Sequence, residues 1–173
     1  RDQETAATAV RAANMGNLVL ATTHATRASR AVETMLSLGV HPFFLAVALR
    51  GVVTQVLVRK VCQECRQEMP ETVDMILDDQ LRHRLPSHVI PQLYEGRGCS
   101  ACSRTGYHGR IGLFELFVTN DRIKQLIMER HPAVDIDQSF TESSWLTLEQ
   151  VGKPVAVTGT TTMEEIVRVL PFA

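Results

Sequence analysis

Two short cysteine motifs decide how this chain is interpreted: Cys62-Gln63-Glu64-Cys65 and Cys99-Ser100-Ala101-Cys102, which are separated by 33 residues. The C-x-x-C spacing lets two thiolates converge on one ion, and two such knuckles complete the tetrahedral set of four sulfurs that zinc accepts. The residues therefore predict a structural zinc ion held by Cys62, Cys65, Cys99 and Cys102. Four protein ligands close the shell, which leaves no position for a catalytic water.

Other interpretations of the cysteines stay open at this point: two disulfides, a redox pair, or unliganded thiols. A thioredoxin-like redox motif places its cysteines at a helix N-terminus directly after a strand, whereas Cys62 is predicted to follow a helix. The sequence also shows no secretory signal pattern, so we expect a reducing compartment, which favours metal ligation over disulfides.

Composition narrows the class of protein. The 173 residues are 45% hydrophobic and 21% charged, which is typical of a globular chain and excludes a disordered or collagen-like one. The 18 Lys+Arg and 19 Asp+Glu residues give a net charge of −1, so the chain has no overall positive electrostatic field that would attract nucleic acid. Basic residues do not cluster with aromatic ones, which also disfavours a zinc-ribbon nucleic-acid binder. The longest apolar stretch, residues 43–49, is too short to cross a bilayer.

Periodicity and capping residues predict an α/β fold. We expect a helix over 2–15 capped by Asp2, a strand over 17–24 buried on both faces, and helices over 29–38 and 43–59. A short helix is predicted over 71–84, an extended segment over 107–118 and a helix over 121–130 capped by Asn120. The last predicted helix, 163–170, begins at a capping box formed by Thr161 and Glu164.

Three further expectations concern side chains that hold the fold. Gly106, Gly109 and Gly112 are expected to supply positive φ angles or a close backbone approach. Arg110 and Glu115 are interpreted as a pair that holds the fold, or as residues that face a neighbour. Trp145, the only tryptophan, is expected in the core.

The order of motifs resembles the C-terminal portion of the type II secretion and type IV pilus assembly ATPases. The resemblance rests on RDQETA at 1–6, GNLVLATTH at 16–24, GVHPF at 39–43, QVLVR at 55–59, the two cysteine knuckles, GYHGRIGLFEL at 106–116 and GTTTMEEI at 159–166. It implies three segments: part of a RecA-like P-loop core over 1–60, a tetracysteine zinc subdomain over 61–105, and an extended segment with a mainly helical C-terminal subdomain over 106–173.

The same resemblance implies a function. Such a motor would form a cytoplasmic hexamer, peripheral to the inner membrane, that hydrolyses ATP with Mg²⁺ and drives inner-membrane platform proteins, with no nucleic acid involved. This chain contains no G-x-x-x-x-G-K-S/T string, and the family's Walker B glutamate would precede Arg1. We therefore interpret the chain as a fragment and expect no ATP hydrolysis by the fragment alone.

The resemblance also assigns site residues. His24 matches the family's histidine box, where the imidazole would report the state of the nucleotide. Arg1, Asp2 and Glu4 match the polar run after Walker B, and Arg59 matches an arginine near the nucleotide or the subunit boundary. From the residues alone, each also has an alternative without a special function. His24 could be an ordinary histidine at a strand end, Arg1, Asp2 and Glu4 could be helix-capping or solvated side chains, and Arg59 could be a surface arginine. The alternative for the whole chain is a zinc-stabilised protein-interaction module without hydrolytic activity.

Overall fold

A computed structural model describes residues 2–70, 73, 76–83, 85–141 and 145–170. Its helices are α1 (Gln3–Asn14), α2 (Ala28–Ser37), α3 (Pro42–Ala48), α4 (Asp79–Arg82), α5 (Asp121–Met128), α6 (Ala133–Thr141), α7 (Leu148–Val157) and α8 (Met163–Val169). Its strands are β1 (Gly51–Val61), β2 (Arg66–Glu68), β3 (Tyr94–Gly96) and β4 (Tyr107–Val118), and a 3-10 helix spans Ser100–Cys102. The expected mixture of helices and strands is confirmed.

The chain divides into two compact units. Unit 1 contains residues 1–54 and 115–145, and unit 2 contains residues 55–114 and 146–173. The core of unit 1 is built from α1, α2, α3, α5, α6 and the end of β4, and its buried apolar side chains are Ala6, Val10, Ala28, Val32, Val40, Leu45, Ala46, Phe117, Ile123, Leu126, Ile127 and Ile136. Trp145 packs against this core, as expected, with its ring 6.1 Å from that of Phe117.

The helix caps of unit 1 follow the sequence. Asp2 accepts a hydrogen bond from the backbone N–H of Thr5 at 2.8 Å, and Asn120 accepts one from Ile123 at 2.9 Å. Each side chain satisfies a donor that the first helical turn leaves without an intrahelical partner. The predicted starts of α1 and α5 are therefore confirmed.

The predicted helix over 43–59 is wrong in its second half. Helix α3 ends at Ala48, and β1 starts at Gly51. Residues 52–58 contain four valines and a threonine, and such β-branched side chains fit a pleated strand better than a helix. Strand β1 pairs with β4, and the bonds at the ends of the ladder run from Thr119 N to Arg50 O and from Cys62 N to Gly106 O.

The predicted strand over 17–24 is also wrong, because these residues adopt no regular structure here. Leu18 and Leu20 are 88% and 89% exposed, instead of buried on both faces. A strand exists only where a neighbouring strand takes its hydrogen bonds, and the sheets of the described residues contain only the pairs β1–β4 and β2–β3.

Unit 2 packs α7 and α8 against β1 and β4. Its first apolar cluster consists of Val58, Leu113, Leu148, Ala156, Ile166 and Leu170, and a second joins Leu77, Leu81, Leu93 and Val157. Helix α8 is capped by Thr162, which accepts a hydrogen bond from Glu165 N at 3.0 Å, so the predicted cap at Thr161 is one residue too early. Of the predicted helix over 71–84, the structure shows α4, and residues 71, 72, 74, 75 and 84 lie outside the described part of the chain.

The expected pair of Arg110 and Glu115 does not fit the geometry of β4. The two residues are five positions apart, and side chains an odd number apart point to opposite faces of a strand. Glu115 is 4% exposed and accepts a hydrogen bond from Ala28 N at 2.8 Å, whereas Arg110 is exposed. Among the described residues, no helix has the length and apolar character to cross a membrane.

Candidate metal centre

The two cysteine knuckles lie at the ends of neighbouring elements in unit 2. Cys62 follows strand β1, not a helix as the sequence predicts, and the turn at residues 63–65 leads into β2, so no helix begins at this knuckle as a thioredoxin-like motif would require. Cys99 is the N-cap of the short 3-10 helix that ends at Cys102. The pairing of β2 with β3, with Arg66 opposite Gly96, brings the second knuckle back beside the first.

The four sulfurs form a compact set. The Sγ atoms of Cys62 and Cys99 and those of Cys65 and Cys102 are 3.9 Å apart, and those of Cys99 and Cys102 are 3.8 Å apart. All four lie within 4.8 Å of one another. Four sulfurs at the usual zinc–sulfur bond length of 2.3 Å form a tetrahedron with edges of about 3.8 Å. The residues therefore fit a tetrahedral metal ion, and the distances exclude disulfides, whose sulfurs are about 2.05 Å apart.

Backbone amides point at two of the sulfurs. Cys102 Sγ accepts from Cys99 N at 3.1 Å and from Gly106 N at 3.3 Å, and Cys65 Sγ accepts from Gly98 N at 3.3 Å. The Cys99 amide is the main cause that lowers the pKa of Cys102, to about 6, whereas burial raises the pKa of Cys65 to about 12. A bound divalent cation would deprotonate the coordinating thiols outright.

Gly106 is the residue on which the two loops meet. Its φ of +77° is the positive angle that the sequence predicts, and its carbonyl accepts the Cys62 amide at 2.9 Å. A Cβ added at Gly96 would lie 2.0 Å from the carbonyl oxygen of Gly106, so neither loop leaves room for a side chain there. The predicted close approach is thus confirmed, and it places the amide that donates to Cys102.

Arg59, the candidate nucleotide or interface residue, is bound to a carboxylate that sequence reasoning missed. Its Nη2 lies 2.6 Å from Glu165 Oε2, and its backbone N–H donates to Glu165 Oε1 at 3.0 Å. Arg168 approaches the same carboxylate with Nε and Nη2, both at 2.7 Å. The Arg59 guanidinium also lies over the Tyr107 ring, 4.0 Å from its centroid. The Glu165 side chain is completely buried, and the two arginine side chains are 39% and 56% exposed.

The electrostatics of Glu165 follow from this arrangement. Burial alone would raise the pKa of its carboxyl, but hydrogen bonds from Arg168 and Arg59 offset that effect and lower the pKa to about 2. The carboxylate therefore stays ionised at neutral pH and fixes α8 to β1. The only local sequence signal for it is the acidic first turn of α8, because the partner Arg59 lies 106 positions away.

A second charged cluster lies in unit 1, between α5 and α6. His131 contacts Asp135 through Nδ1 at 2.5 Å and Glu129 through Nε2 at 3.1 Å. Hydrogen bonding to Asp135 is the main cause that raises the pKa of His131, and Glu129 adds to it. Two carboxylates on the two ring nitrogens favour the charged imidazolium, which has an N–H for each of them. The sequence analysis did not single out this residue.

The remaining predicted site residues lie in unit 1. Asp2 caps α1, Glu4 is exposed in its first turn, and His24 is exposed in the irregular segment before α2. Arg1 lies outside the described residues. The structure thus brings together the four cysteines, whereas His24 and Arg59 belong to different units.

Comparison with known proteins identifies the class to which this chain belongs. A family model described as "Type II/IV secretion system protein" matches residues 1–168, so the chain is a member of that family. This confirms the resemblance that the sequence motifs indicate.

Individual relatives support the assignment. The chain is 36% identical to type II secretion system protein E of Klebsiella pneumoniae, over 98% of this chain and 33% of that protein. It is 39% identical to the type IV pilus assembly ATPase PilB of Thermus thermophilus, over 96% of this chain and 18% of that protein. It is 34% identical to the type IV pilus assembly ATPase TfpB of Acinetobacter baylyi, over 99% of this chain and 29% of that protein. The chain therefore spans a third or less of the length of these relatives.

Proposed function

We propose that this chain is the C-terminal portion of a motor ATPase that couples ATP hydrolysis to protein export or pilus assembly. The observation that carries the proposal is the family match over residues 1–168, together with relatives named as pilus assembly ATPases. The mixed helix and strand composition is compatible with part of a RecA-like P-loop domain.

The proposed layout keeps three functional segments: the RecA-like core over 1–60, the zinc subdomain over 61–105 and the C-terminal subdomain over 106–173. The two compact units, which are defined by spatial contacts, have different boundaries from these segments: the chain passes from one unit to the other at 54–55, 114–115 and 145–146. In this layout His24 would report the nucleotide state, and Arg1, Asp2 and Glu4 would continue the Walker B region. Arg59 would act at the nucleotide or the subunit boundary through the part of its guanidinium that Glu165 leaves exposed.

The chain itself would not hydrolyse ATP. It contains no phosphate-binding loop sequence, and such a loop supplies the amides and the lysine that hold the phosphates. ATP and Mg²⁺ would therefore bind only in the longer protein. We propose that the longer protein is a cytoplasmic hexamer, held at the inner membrane by platform proteins of the secretion or pilus system.

We propose zinc as the ion at the metal centre, held by Cys62, Cys65, Cys99 and Cys102. Sulfur separations close to 3.8 Å and the all-thiolate donor set support this choice. When bound, zinc would supply a structural crosslink between the two loops and no Lewis-acid chemistry, because four sulfurs close its shell. Metal analysis of chain purified under reducing conditions should give about one zinc per chain, and clearly less than one would reject the proposal.

The test of the motor proposal is ATP turnover by the longer protein. We expect turnover there, none from residues 1–173 alone, and a reduced but measurable turnover in the His24→Ala variant. His88→Ala is the matched control, because His88 is an exposed histidine outside the proposed site. No turnover in the unsubstituted longer protein would reject the motor, and full turnover in His24→Ala would remove His24 from the mechanism.

A zinc-stabilised interaction module without hydrolytic activity is the second candidate. It is favoured by the exposed apolar face of α3, where Phe43, Phe44 and Val47 are about half exposed. One observation distinguishes the two candidates: the motor requires a G-x-x-x-x-G-K-S/T motif in the protein that the complete gene encodes, and the interaction module does not.

A further inference from the structure

Helix α2 starts without a cap of its own. Its N-cap position is Arg27, whose side chain offers no acceptor to the first-turn amides, and its first turn has no acidic residue. The first four N–H groups of a helix have no intrahelical partner. Ala28 and Ser29 are both completely buried, so water does not serve their amides. A buried amide left without an acceptor is costly, which makes the start of α2 dependent on another element.

Glu115 supplies the acceptor from a distance of 87 positions in sequence. Its Oε1 accepts the Ala28 N–H at 2.8 Å, and its side chain faces the core of unit 1 from β4. A carboxylate at this position also complements the partial positive charge of the helix N-terminus. An aliphatic residue of similar size would fill this place without desolvating a charge, so packing alone does not account for the glutamate, whereas its hydrogen bond to the Ala28 amide offsets part of the cost of burial.

The capped amide is close along the chain to the candidate nucleotide sensor. Ala28 follows His24 by four residues, so their Cα atoms are at most about 14 Å apart. Residues 17–25 form no helix or strand. Helix α2 is therefore the first regular element after His24, and its first residue anchors the C-terminal end of the irregular segment that contains His24. The hydrogen bond from Ala28 N to Glu115 joins this residue to β4.

We propose that Glu115 is a positioning residue for His24: by capping α2, it holds the histidine segment in the place where it reads the nucleotide. This inference rests on the proposed function. Glu115 itself touches no substrate in this role. Errors of about 1 Å in the placement of a catalytic group reduce rates by up to about a hundredfold, so we expect loss of the cap to lower kcat about tenfold or more.

The experiment uses the longer protein and a double-mutant cycle. We compare ATP turnover in Glu115→Leu, His24→Ala and the double variant, and we include Glu115→Gln, whose amide oxygen still accepts from Ala28 N. We expect Glu115→Leu to reduce kcat with little change in KM, and Glu115→Gln to retain most of the activity. In the His24→Ala background, Glu115→Leu should have no further effect, because the residue acts through the histidine.

Phe117→Leu is the control for a general loss of stability. Phe117 lies two positions along β4, on the same buried face, and its side chain belongs to the core. The proposal is overturned if Phe117→Leu lowers kcat as much as Glu115→Leu does. It is also overturned if Glu115→Leu lowers kcat by the same factor in the His24→Ala background as in the unsubstituted protein.

Amide exchange separates this proposal from the motor proposal. In the same variants we expect residues 24–30 to exchange about tenfold faster in Glu115→Leu, but not in Phe117→Leu. If the unsubstituted longer protein has no turnover, the proposed function fails, and the exchange result still decides whether Glu115 holds the segment. Unchanged exchange at residues 24–30 refutes the positioning role even if turnover is present.

Discussion

Glu165→Gln is the perturbation for which the structure gives the clearest magnitude. The substitution removes the only negative charge between Arg59 and Arg168 and replaces it by a neutral amide of nearly the same shape. Removing one partner from a buried ion pair costs about 3–5 kcal/mol, because the remaining charges lose their compensation. The Glu165 side chain is fully buried and accepts four hydrogen bonds, but the two arginines are 39% and 56% exposed and keep part of their hydration. We therefore expect a loss in unfolding free energy of about 3 kcal/mol at pH 7, the lower end of that range.

The pH dependence gives a second and independent magnitude. The pKa of Glu165 falls from an ordinary 4.5 to about 2 in the folded chain. A depressed folded pKa stabilises the protein above the unfolded pKa, and the contribution disappears as pH falls toward the folded pKa. At about 1.36 kcal/mol per pKa unit, the whole contribution is on the order of 3 kcal/mol, of which roughly a quarter is lost at pH 4 and roughly two fifths at pH 3.5.

The assay is urea denaturation followed by far-UV circular dichroism at pH 7, 4 and 3.5. The unsubstituted chain should lose more stability on acidification than Glu165→Gln, by the amounts just given. Acid loss of metal from the cysteines affects both chains alike and therefore cancels in the difference. Glu164→Gln is the matched control, because Glu164 is the preceding residue in the same helical turn and is exposed; we expect it to cost less than about 0.5 kcal/mol. Equal pH dependence in the unsubstituted chain and Glu165→Gln would refute the reasoning.

Three further outcomes follow from the structure. Cys102→Ser should abolish zinc binding and lower the melting temperature, whereas Ser100→Ala, in the same knuckle, should keep one zinc per chain by metal analysis; equal zinc content in both would contradict the four-sulfur site. Because the pKa of His131 is raised, its contribution to stability is complete below pH 6.5 and is lost as pH rises through the folded value. Between pH 6 and 9 the unsubstituted chain should therefore lose more unfolding free energy than His131→Gln, as measured by urea denaturation. Asn120→Ala should cost about 1 kcal/mol and Asn120→Asp much less, since aspartate also caps; a similar loss in both, measured by denaturation, would show that the cap contributes little.

Features with a local cause could be predicted from the sequence. The cysteine knuckles and the caps Asp2 and Asn120 each depend on residues within a few positions, and the structure confirms the cluster and both caps. The extended segment over 107–118 is also indicated locally, by Gly106, Gly109 and Gly112, which mark a turn into it. Its alternation of buried and exposed side chains is not visible in the sequence, because Glu115 is buried and Phe114 and Leu116 are about half exposed.

Features with a distant cause could not be predicted. Residues 43–59 are apolar at most positions, so periodicity did not separate helix α3 from the strand that begins at Gly51, and the pairing with β4 decides the outcome. The Arg59–Glu165 contact joins residues 106 positions apart, and no local pattern indicates it. The segment over 17–24 has the composition of a strand, but composition cannot supply the neighbouring strand that its hydrogen bonds require.

The pairing of β2 with β3 has a consequence for how the insert between the knuckles tolerates change. The ladder runs from the pair Arg66 and Gly96 to the pair Glu68 and Tyr94, and the bond from Met69 N to Leu93 O extends it by one step. This neck fixes the cysteines before the chain departs into residues 70–92. Since closing a longer loop adds only about 0.6 kcal/mol per doubling of its length, a reporter peptide grafted beyond the neck should leave the sulfur geometry intact.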